Sequence, residues 1–259
     1  MGQMIDEPLE RLRTAARRTR ELALDRAGTG LGHEDADDDV GTIGTDGALG
    51  FDPFPLLEAL HRHGVRAVVI GQVAGIMHGS TELTGDLDLL WDGVPAHAPA
   101  LAAAFTSVDA QLADETGNPV ATHPDSFLRP KVQFTSPGAG GDCCTPALPW
   151  GNLHVRECLD HAITAVDPGG LEVHYVSRQD LIRMRRALGR PKDLRRADEL
   201  DSLTSDSAED RSTSGGAEAA GDRQEQASET SADDDDDFDA PAFIKSAPAR
   251  RRPRNGRKT

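Results

Sequence analysis

The chain has 259 residues, a formal net charge of −16 and an aromatic content of only 4%. Two of its three cysteines are adjacent and no CxxC spacing occurs, which disfavours a disulfide scaffold and a zinc site. No apolar run has the length of a membrane span and the N-terminus lacks an apolar signal-peptide core, so the expected setting is a reduced cytoplasm with no membrane contact.

The N-terminal 27 residues predict a basic helix. Leucines and alanines of residues 8–27 loosely follow helical spacing, with arginines around them. The favoured interpretation is a solvated helix on the surface, and the alternative is a basic arm for nucleic acid. Residues 28–50 are rich in Gly and Asp with few large apolar side chains, which predicts a flexible linker.

Residues 51–203 are predicted to form the folded domain, since the ends of the chain are poor in apolar residues. Hydrophobic periodicity and glycine or proline breaks indicate strands interspersed with helices. The predicted strands are residues 66–70, 86–91, 108–112, 119–123, 131–135, 152–155 and 171–176. The predicted helices are residues 51–64, 72–79, 96–105, 157–165, 177–189 and 191–203, and residues 138–141 are predicted to be a glycine-rich loop.

Asp86 and Asp88 are the candidate catalytic pair. Alternate side chains of a strand share a face, so the two carboxylates are predicted to point the same way while Leu87 and Leu89 point into the core. Neighbouring carboxylates repel each other unless a cation lies between them, and Mg²⁺ (or Mn²⁺) is a hard cation that suits carboxylate oxygens. A surface hairpin with two solvated aspartates is the alternative interpretation.

The strand ending at Ile70-Gly71, the helix after it and Asp86-Leu87-Asp88-Leu89 together resemble the signature of the nucleotidyltransferase superfamily, which has the polymerase-beta-like fold. That signature is an hG[G/S] turn followed further along by Dh[D/E]h, where h is hydrophobic. The chain departs from it at Gln72, where the family usually has glycine or serine. The resemblance implies an α/β (α+β) domain with a small mixed sheet flanked by helices, and the composition of the two ends predicts disordered N- and C-terminal tails.

The end of the domain is similar to that of AbiEii/AbiGii-type toxin nucleotidyltransferases of type IV toxin–antitoxin systems. The matching positions are Ser177, Asp180-Leu181-Ile182, Met184, Ala187 and Gly189-Arg190-Pro191-Lys192-Asp193. Arg185 stands where the family has a lysine that is thought to meet the phosphates of the nucleotide, and it keeps the charge with a different reach. For Arg190 and Asp193, an internal ion pair and a functional role stay equally open.

A third catalytic carboxylate is usual in the superfamily, on a strand at about the place of residues 131–135. The matching position here is Gln133, whose amide ligates a metal weakly and cannot act as a general base. Asp142, in the predicted loop that follows, is a candidate for the missing charge.

The resemblance implies a role for each site residue. Asp86 and Asp88 would be catalytic and would hold Mg²⁺, and Arg185 would neutralise charge that develops on the phosphates. The nucleotide-binding candidates are Gly71, Gln72 and Lys192.

The expected activity is transfer of a nucleoside monophosphate from an NTP to an RNA or protein acceptor, such as a tRNA 3′ end or a protein hydroxyl. The likeness to toxins makes a cognate antitoxin a candidate partner. The main alternative is a degenerate nucleotidyltransferase fold that binds a nucleotide or a partner without turnover, for which Gln133 and Gln72 are the evidence. Transfer to a small molecule is a third possibility, and it would need a deep pocket.

Residues 204–259 form a low-complexity tail that contains an aspartate run at 233–237 and a basic end. Such a composition cannot bury a core, which predicts disorder. The favoured role is self-screening or solubilisation, and competition for nucleic acid or binding of a partner are the alternatives.

Overall fold

The structure is a computed structural model that describes residues 7–32, 35 and 42–213, with the side chains of residues 7–32, 35 and 43–203. These residues belong to one compact unit, Met1–Glu218. Predictions for residues 1–6 and for the tail from residue 214 onward lie outside the described residues. In the described part, no helix combines the length and apolarity that a membrane span requires.

Eight strands of the described residues form one mixed sheet. The strands are β1 (Val68–Ile70), β2 (Asp88–Leu90), β3 (Gln111–Ala113), β4 (Pro119–Val120), β5 (Lys131–Ser136), β6 (Ala139–Cys144), β7 (Ile163–Val166) and β8 (Glu172–Tyr175). Their order in the sheet is β4-β3-β5-β6-β2-β1-β8-β7. The pairs β1–β8 and β2–β6 are parallel, and the others are antiparallel.

Seven α-helices accompany this sheet in the described part. They are α1 (Pro8–Ala23), α2 (Phe54–Arg62), α3 (Gly71–Met77), α4 (Ala98–Thr106), α5 (Arg156–Asp160), α6 (Arg178–Leu188) and α7 (Pro191–Thr213). Helix α3 packs against α1 and α6, α6 packs against α7, and α2 packs against α4. The expected α/β class, a mixed sheet flanked by helices, is confirmed.

The core centres on β1 and β2. All three residues of β1 are buried, as expected for a strand that is covered on both faces of the sheet. Leu87 and Leu89 are fully buried, which confirms the predicted alternation before and within β2. The sequence pattern is therefore most reliable where the sheet is most deeply covered.

Strand β6 includes residues that were predicted to be a glycine-rich loop. Glycine has a low strand propensity, so periodicity did not reveal the strand. The glycines are needed for close backbone packing, because a Cβ on Gly141 would overlap the carbonyl group of Leu87. The Leu87 N–H also donates to the Gly140 carbonyl at 2.8 Å. Close approach to the chain before β2 thus explains the glycines.

Helix α1 belongs to the core, which differs from the predicted solvated helix. Leu9, Leu12 and Ala16 are buried, and the helix packs on α3. The Arg11 guanidinium donates to the Met77 carbonyl at 3.0 Å, so this arginine is used within the fold. The apolar stripe of α1, although narrow, is therefore sufficient to dock the helix on α3.

The described part of residues 28–50 also makes specific contacts. The carboxylate of Asp46 accepts hydrogen bonds from the Thr29 and Gly30 N–H groups at 2.7 and 2.8 Å. Two short 3₁₀ turns follow, at Thr42–Gly44 and Asp46–Ala48. Part of the predicted linker is thus held in defined turns.

Two further differences lie between residues 150 and 166. The predicted strand at 152–155 is absent from the structure, and α5 ends at Asp160, well before the predicted helix end. The next residues form β7, which pairs with β8 at the edge of the sheet. The β-branched residues Ile163, Thr164 and Val166 favour that strand, and the pairing with β8 outweighs helical spacing.

Helix α6 begins and ends as the sequence predicts. Ser177 is its N-cap, and the Ser177 hydroxyl accepts the Asp180 N–H at 3.2 Å. Gly189 is its C-cap in the left-handed conformation, with φ of +66°. The turn after Gly189 leads directly into α7, whose N-terminal residues approach the candidate site.

The core role of α1 predicts a difference between two leucines of the same helix. Leu12→Ala should lower the free energy of unfolding by about 2–5 kcal/mol because Leu12 is 0% exposed. Leu22→Ala is the matched control and should change it by less than about 0.5 kcal/mol, because Leu22 is 61% exposed. Urea unfolding followed by circular dichroism measures both values. Equal unfolding midpoints for the two variants would contradict the docking of α1.

Candidate active site

Asp88 begins β2 and lies directly against Gly71. Ile70, the last residue of β1, pairs with Asp88 in the antiparallel register. Gly71 has φ of +64°, and a Cβ at this position would overlap the Asp88 carboxylate. Glycine is therefore required here for two reasons, a left-handed backbone and the closeness of a carboxylate.

Asp86 lies in the loop before β2, two residues ahead of the strand, whereas the sequence placed it in the strand itself. The buried Thr84 hydroxyl donates to the Asp86 carboxylate. Helix α1 supports this loop, because the Thr19 hydroxyl donates to the Thr84 carbonyl at 3.2 Å. The backbone at Gly85 also lies so close to Ala48 that a side chain would not fit. Asp86 is thus held by tertiary contacts.

Asp142 is the carboxylate that the sheet places beside Asp88. The parallel register pairs Leu89 with Cys143, which brings the preceding residues Asp88 and Asp142 side by side. The Asp142 N–H donates to Asp88 Oδ1 at 3.3 Å, in agreement with that register. Gln133 lies on β5, one strand further from β2, and pairs with Asp142. The position next to Asp88 therefore belongs to Asp142, and Gln133 lies one strand further away.

Lys131 forms an ion pair with this carboxylate. Its Nζ lies 3.1 Å from Asp142 Oδ2, and the side chains are 25% and 21% exposed. Lys131 and Gln133 are two residues apart on β5 and share a face, and Gln133 is opposite Asp142. The β5–β6 register thus determines the ion pair.

Gln72 and Arg185 are buried and bonded to each other. Arg185 Nη2 donates to Gln72 Oε1 at 2.7 Å, and Arg185 Nη1 donates to the Arg196 carbonyl at 2.8 Å. Gln72 Nε2 donates to the Ser80 hydroxyl at 3.0 Å and to the Glu82 carbonyl at 2.6 Å. The contact therefore ties α6 to the loop that leads to Asp86. With a side chain engaged in this way, Arg185 acts on the site by positioning Gln72.

Burial also affects the pKa of Arg185. Desolvation, with the nearby Arg196 charge, lowers the pKa of Arg185 to about 10. The guanidinium therefore remains protonated at pH 7 and keeps its donors for Gln72. Gly75 makes room for it, since a Cβ on Gly75 would overlap the guanidinium.

Arg190 and Lys192 supply positive charge at the turn between α6 and α7. Burial by itself lowers the pKa of Arg190, but a two-point contact with Asp193 and the charges of Asp88 and Asp86 raise it overall. Burial and the charges of Arg190 and Arg196 lower the pKa of Lys192. The charge of Asp86 opposes this shift, because it raises the pKa of Lys192. The ion pair between Arg190 and Asp193 is thus present, and the charges of Asp86 and Asp88 contribute to the raised pKa of Arg190.

The loop of residues 80–85 is joined to α7 by carboxylates. Glu82 pairs with Arg196, and Glu199 accepts hydrogen bonds from the Ser80 hydroxyl at 2.6 Å and the Thr81 N–H at 2.9 Å. Burial raises the pKa of Glu82, but the hydrogen bond and charge of Arg196 outweigh it and lower the pKa. The loop therefore has charged contacts with the C-terminal helix.

His78 is a packed side chain. It is buried beside Tyr175, with ring centroids 5.0 Å apart, and its Nε2 lies 2.9 Å from the Val176 carbonyl. Burial lowers the pKa of His78 to about 4, so the ring is neutral at pH 7. These contacts give His78 a packing role in the core.

The carboxylates fit a hard divalent cation in their chemistry. Asp86, Asp88 and Asp142 offer oxygen ligands, and the Lys131 ammonium already supplies one positive charge beside them. Among the described residues, however, no three or more His, Cys, Asp or Glu side chains are arranged as a common ligand set. Asp142 would have to turn from Lys131 toward Asp88 for a three-carboxylate set to form.

A cavity of about 490 Å³ opens at the other end of β2 and β6. Its lining includes Asp92, Thr145 and Arg156, and it contains none of the three aspartates discussed above. Four residues of strand span about 13 Å, so Asp92 lies far along the chain direction from Asp88. The cavity is thus separate from the candidate active site.

The structure brings together most of the residues that the sequence singled out. Gly71 and Asp88 are in contact, and the charge of Asp86 raises the pKa of Lys192. Arg185 is bonded to Gln72 and donates to the Gly71 carbonyl at 3.4 Å. Sequence reasoning gave Asp142 only as a candidate and missed Lys131. A signal was available, because Asp142 directly precedes the apolar pair Cys143-Cys144.

The fit of Gly71 against Asp88 predicts a difference between two glycines with the same backbone conformation. Gly64→Ala should cost about 1–2 kcal/mol, since φ is +66° and a Cβ meets nothing within 4 Å. Gly71→Ala should cost a further ~1–3 kcal/mol because of the overlap with Asp88. Urea unfolding measures both. Equal losses would show that Asp88 does not lie against Gly71.

The burial of Arg185 predicts a contrast with its neighbour in sequence. Arg185→Ala should lower the free energy of unfolding by about 1.5–3 kcal/mol, because Gln72 and a carbonyl group lose charged donors. Arg186→Ala should change it by less than about 0.5 kcal/mol, because Arg186 is exposed and pairs only with exposed aspartates. Thermal and urea unfolding provide the values, and a larger loss for Arg186→Ala would contradict the positioning role.

Comparison with known proteins does not assign a family to the chain. No family model matches the sequence, and no curated protein matches it. The resemblance to nucleotidyltransferases rests on the chain's own residues, namely Gly71 with the two aspartates and the motif around α6 and α7. The activity of the site is accordingly a matter of proposal.

Proposed function

We propose that the protein is a metal-dependent nucleotidyltransferase that moves a nucleoside monophosphate from an NTP to an acceptor hydroxyl. The observation that carries the proposal is the placement of Asp88 between Gly71 and Asp142. The acceptor oxygen attacks the α-phosphorus, a phosphodiester bond forms, the α–β anhydride bond breaks and pyrophosphate leaves. The acceptor proton goes to a carboxylate of the site.

Three carboxylates would hold the metal. These are Asp86, Asp88 and Asp142, with Asp142 as the candidate for the charge that is missing at Gln133. Bound Mg²⁺ or Mn²⁺ would neutralise the triphosphate and polarise its oxygens. Such transfer depends mainly on positioning and on electrostatic stabilisation of the phosphoryl oxygens. The chain's own part is therefore to hold these carboxylates in place.

The cations of the α6–α7 turn suit the phosphates. Arg190 and Lys192 are the groups on which the Asp86 charge acts, so phosphates bound through a metal at Asp86 would come near them. Lys192 keeps its proposed role as a nucleotide contact. Arg185 contributes by keeping Gln72 and the loop before Asp86 in place, in contrast to a direct contact with phosphate. Gly71 provides space beside Asp88.

The likeness to AbiEii/AbiGii toxins supports an RNA or protein acceptor, and with it a toxin-type activity controlled by a cognate antitoxin. A tRNA 3′ end and a protein hydroxyl are the two acceptors to test first. The cavity at the far end of β2 does not contain the aspartates, so it gives no support to a small-molecule acceptor in this site.

The second candidate function is a nucleotide- or partner-binding module without turnover. The observation in its favour is the ion pair between Lys131 and Asp142, which occupies the third carboxylate. A module of this kind would bind NTP through Arg190 and Lys192 while lacking a complete ligand set. It would therefore show nucleotide binding with no transfer.

A transfer assay tests the proposal. The purified full chain is incubated with each α-labelled NTP, Mg²⁺ or Mn²⁺, and total tRNA or a protein extract. We expect label in the acceptor fraction, and Asp86→Asn or Asp88→Asn should reduce it at least about 100-fold because each removes a metal ligand. Asp125→Asn, a change at an exposed aspartate, is the matched control and should retain full activity.

The assay also separates the two candidate functions. Label that does not depend on Asp86 and Asp88 would contradict the proposed site. Absence of label with every nucleotide, together with measurable NTP binding by equilibrium dialysis, would favour the binding module.

A further inference from the structure

The ion pair between Lys131 and Asp142 lies inside the proposed metal site. Lys131 reaches Asp142 from the neighbouring strand, with Nζ 3.1 Å from Oδ2. Asp142 is also next to Asp88, because the parallel register of β2 and β6 places the two residues side by side and the Asp142 backbone N–H donates to Asp88 Oδ1. The lysine ammonium and a metal bound at Asp88 would therefore approach the same carboxylate.

The electrostatics give this ion pair a role. Asp88 and Asp142 are side by side on parallel strands, and two carboxylates at that spacing repel each other unless a cation compensates them. Lys131 supplies that cation from within the chain. Its side chain has a compact charge on a flexible four-carbon stem, so the ammonium can leave Asp142 by rotation of the stem without a change in β5.

The arrangement of the carboxylates agrees with such a role. The described residues contain no set of three carboxylate, histidine or cysteine ligands that converge on one point. Lys131 pairs with Asp142, which is the carboxylate that the proposed set adds to Asp86 and Asp88. Release of Asp142 by Lys131 is thus the rearrangement that a complete set requires.

We propose that Lys131 is a built-in cation that competes with a divalent metal ion for Asp142, so that metal loading of the site requires the Lys131–Asp142 ion pair to open. The inference rests on the proposed function, because it regulates the same site. The competition would weaken metal binding by the nucleotide-free chain, and its source would be Lys131 on β5. A triphosphate that brings its own bound metal would favour the open arrangement.

Mn²⁺ alone is the probe, and the full-length chain is titrated by isothermal calorimetry or by loss of the free Mn²⁺ electron paramagnetic resonance signal. Lys131→Gln should bind Mn²⁺ roughly 2–5-fold more tightly than the native chain, the range expected when a partly exposed ion pair no longer competes. Lys131→Met retains the apolar stem and should behave in the same way. Circular dichroism and thermal unfolding establish that each variant is folded.

Two controls separate competition at Asp142 from a general charge effect. Arg129→Gln removes one positive charge from an exposed position two residues before Lys131 and should leave Mn²⁺ affinity unchanged. In an Asp142→Asn background, Lys131→Gln should give no gain in affinity, because the contested carboxylate is gone.

The outcomes distinguish the inference from the proposed function. If the native chain binds Mn²⁺ through Asp86 and Asp88 but Lys131→Gln and Lys131→Met bind it no more tightly, the competition is refuted and the proposed function stands. An equal gain from Arg129→Gln, or a gain that persists without Asp142, also refutes the competition. If no variant binds Mn²⁺, the metal site of the proposed function fails and the inference fails with it.

Discussion

The position of β2 between β1 and β6 is the constraint on which the candidate site depends. The antiparallel pairing with β1 brings Asp88 next to Gly71, and the parallel pairing with β6 brings it next to Asp142. Glycines at residues 71 and 141 allow these approaches, because a Cβ at either position would overlap the opposite chain. The close backbone packing and the adjacent carboxylates of Asp88 and Asp142 therefore result from one arrangement.

The buried polar contacts behind the site extend this arrangement to the helices. Arg185 and Gln72 join α6 to the loop that leads to Asp86, and Glu199 joins the same loop to α7. Buried charged groups are costly to leave without partners, so contacts of this kind specify one geometry for the loop. Helix α1 also holds this loop, because the Thr19 hydroxyl donates to the Thr84 carbonyl. The N-terminal helix and the C-terminal helices thus act together on one short loop.

The charge of the chain is balanced locally in the site. The protein has a net charge of −16, yet Lys131, Arg190 and Lys192 lie around the candidate aspartates. Carboxylates with cations next to them suit a ligand that carries both kinds of charge, as a metal-bound triphosphate does. In the proposed function, the same cations would weaken the binding of a metal ion by itself. A metal-bound triphosphate would then be the preferred ligand.

The sequence by itself determined the buried strand before Gly71, the burial of Leu87 and Leu89, and the ends of α6 at Ser177 and Gly189. Each depends on residues near in sequence, through strand alternation, a side-chain cap or a left-handed glycine. The sequence also indicated that Gly71 and Asp88 belong to one motif. The sequence predicted helix α1 but not its docking, because a narrow apolar stripe does not show whether another element covers it.

Only the tertiary structure decided which residue lies next to Asp88. A carboxylate in a glycine-rich segment gives no strand periodicity, so the sequence assigned the matching strand position to Gln133, whose strand has clear alternation, and offered Asp142 only as a loop candidate. The order β5-β6-β2 then made Asp142 the neighbour and Lys131 its partner. Strand order arises from how residues distant in sequence pack, and local propensity does not encode it. That is why the sequence determined the separate parts of this site, whereas the fold decided how they meet.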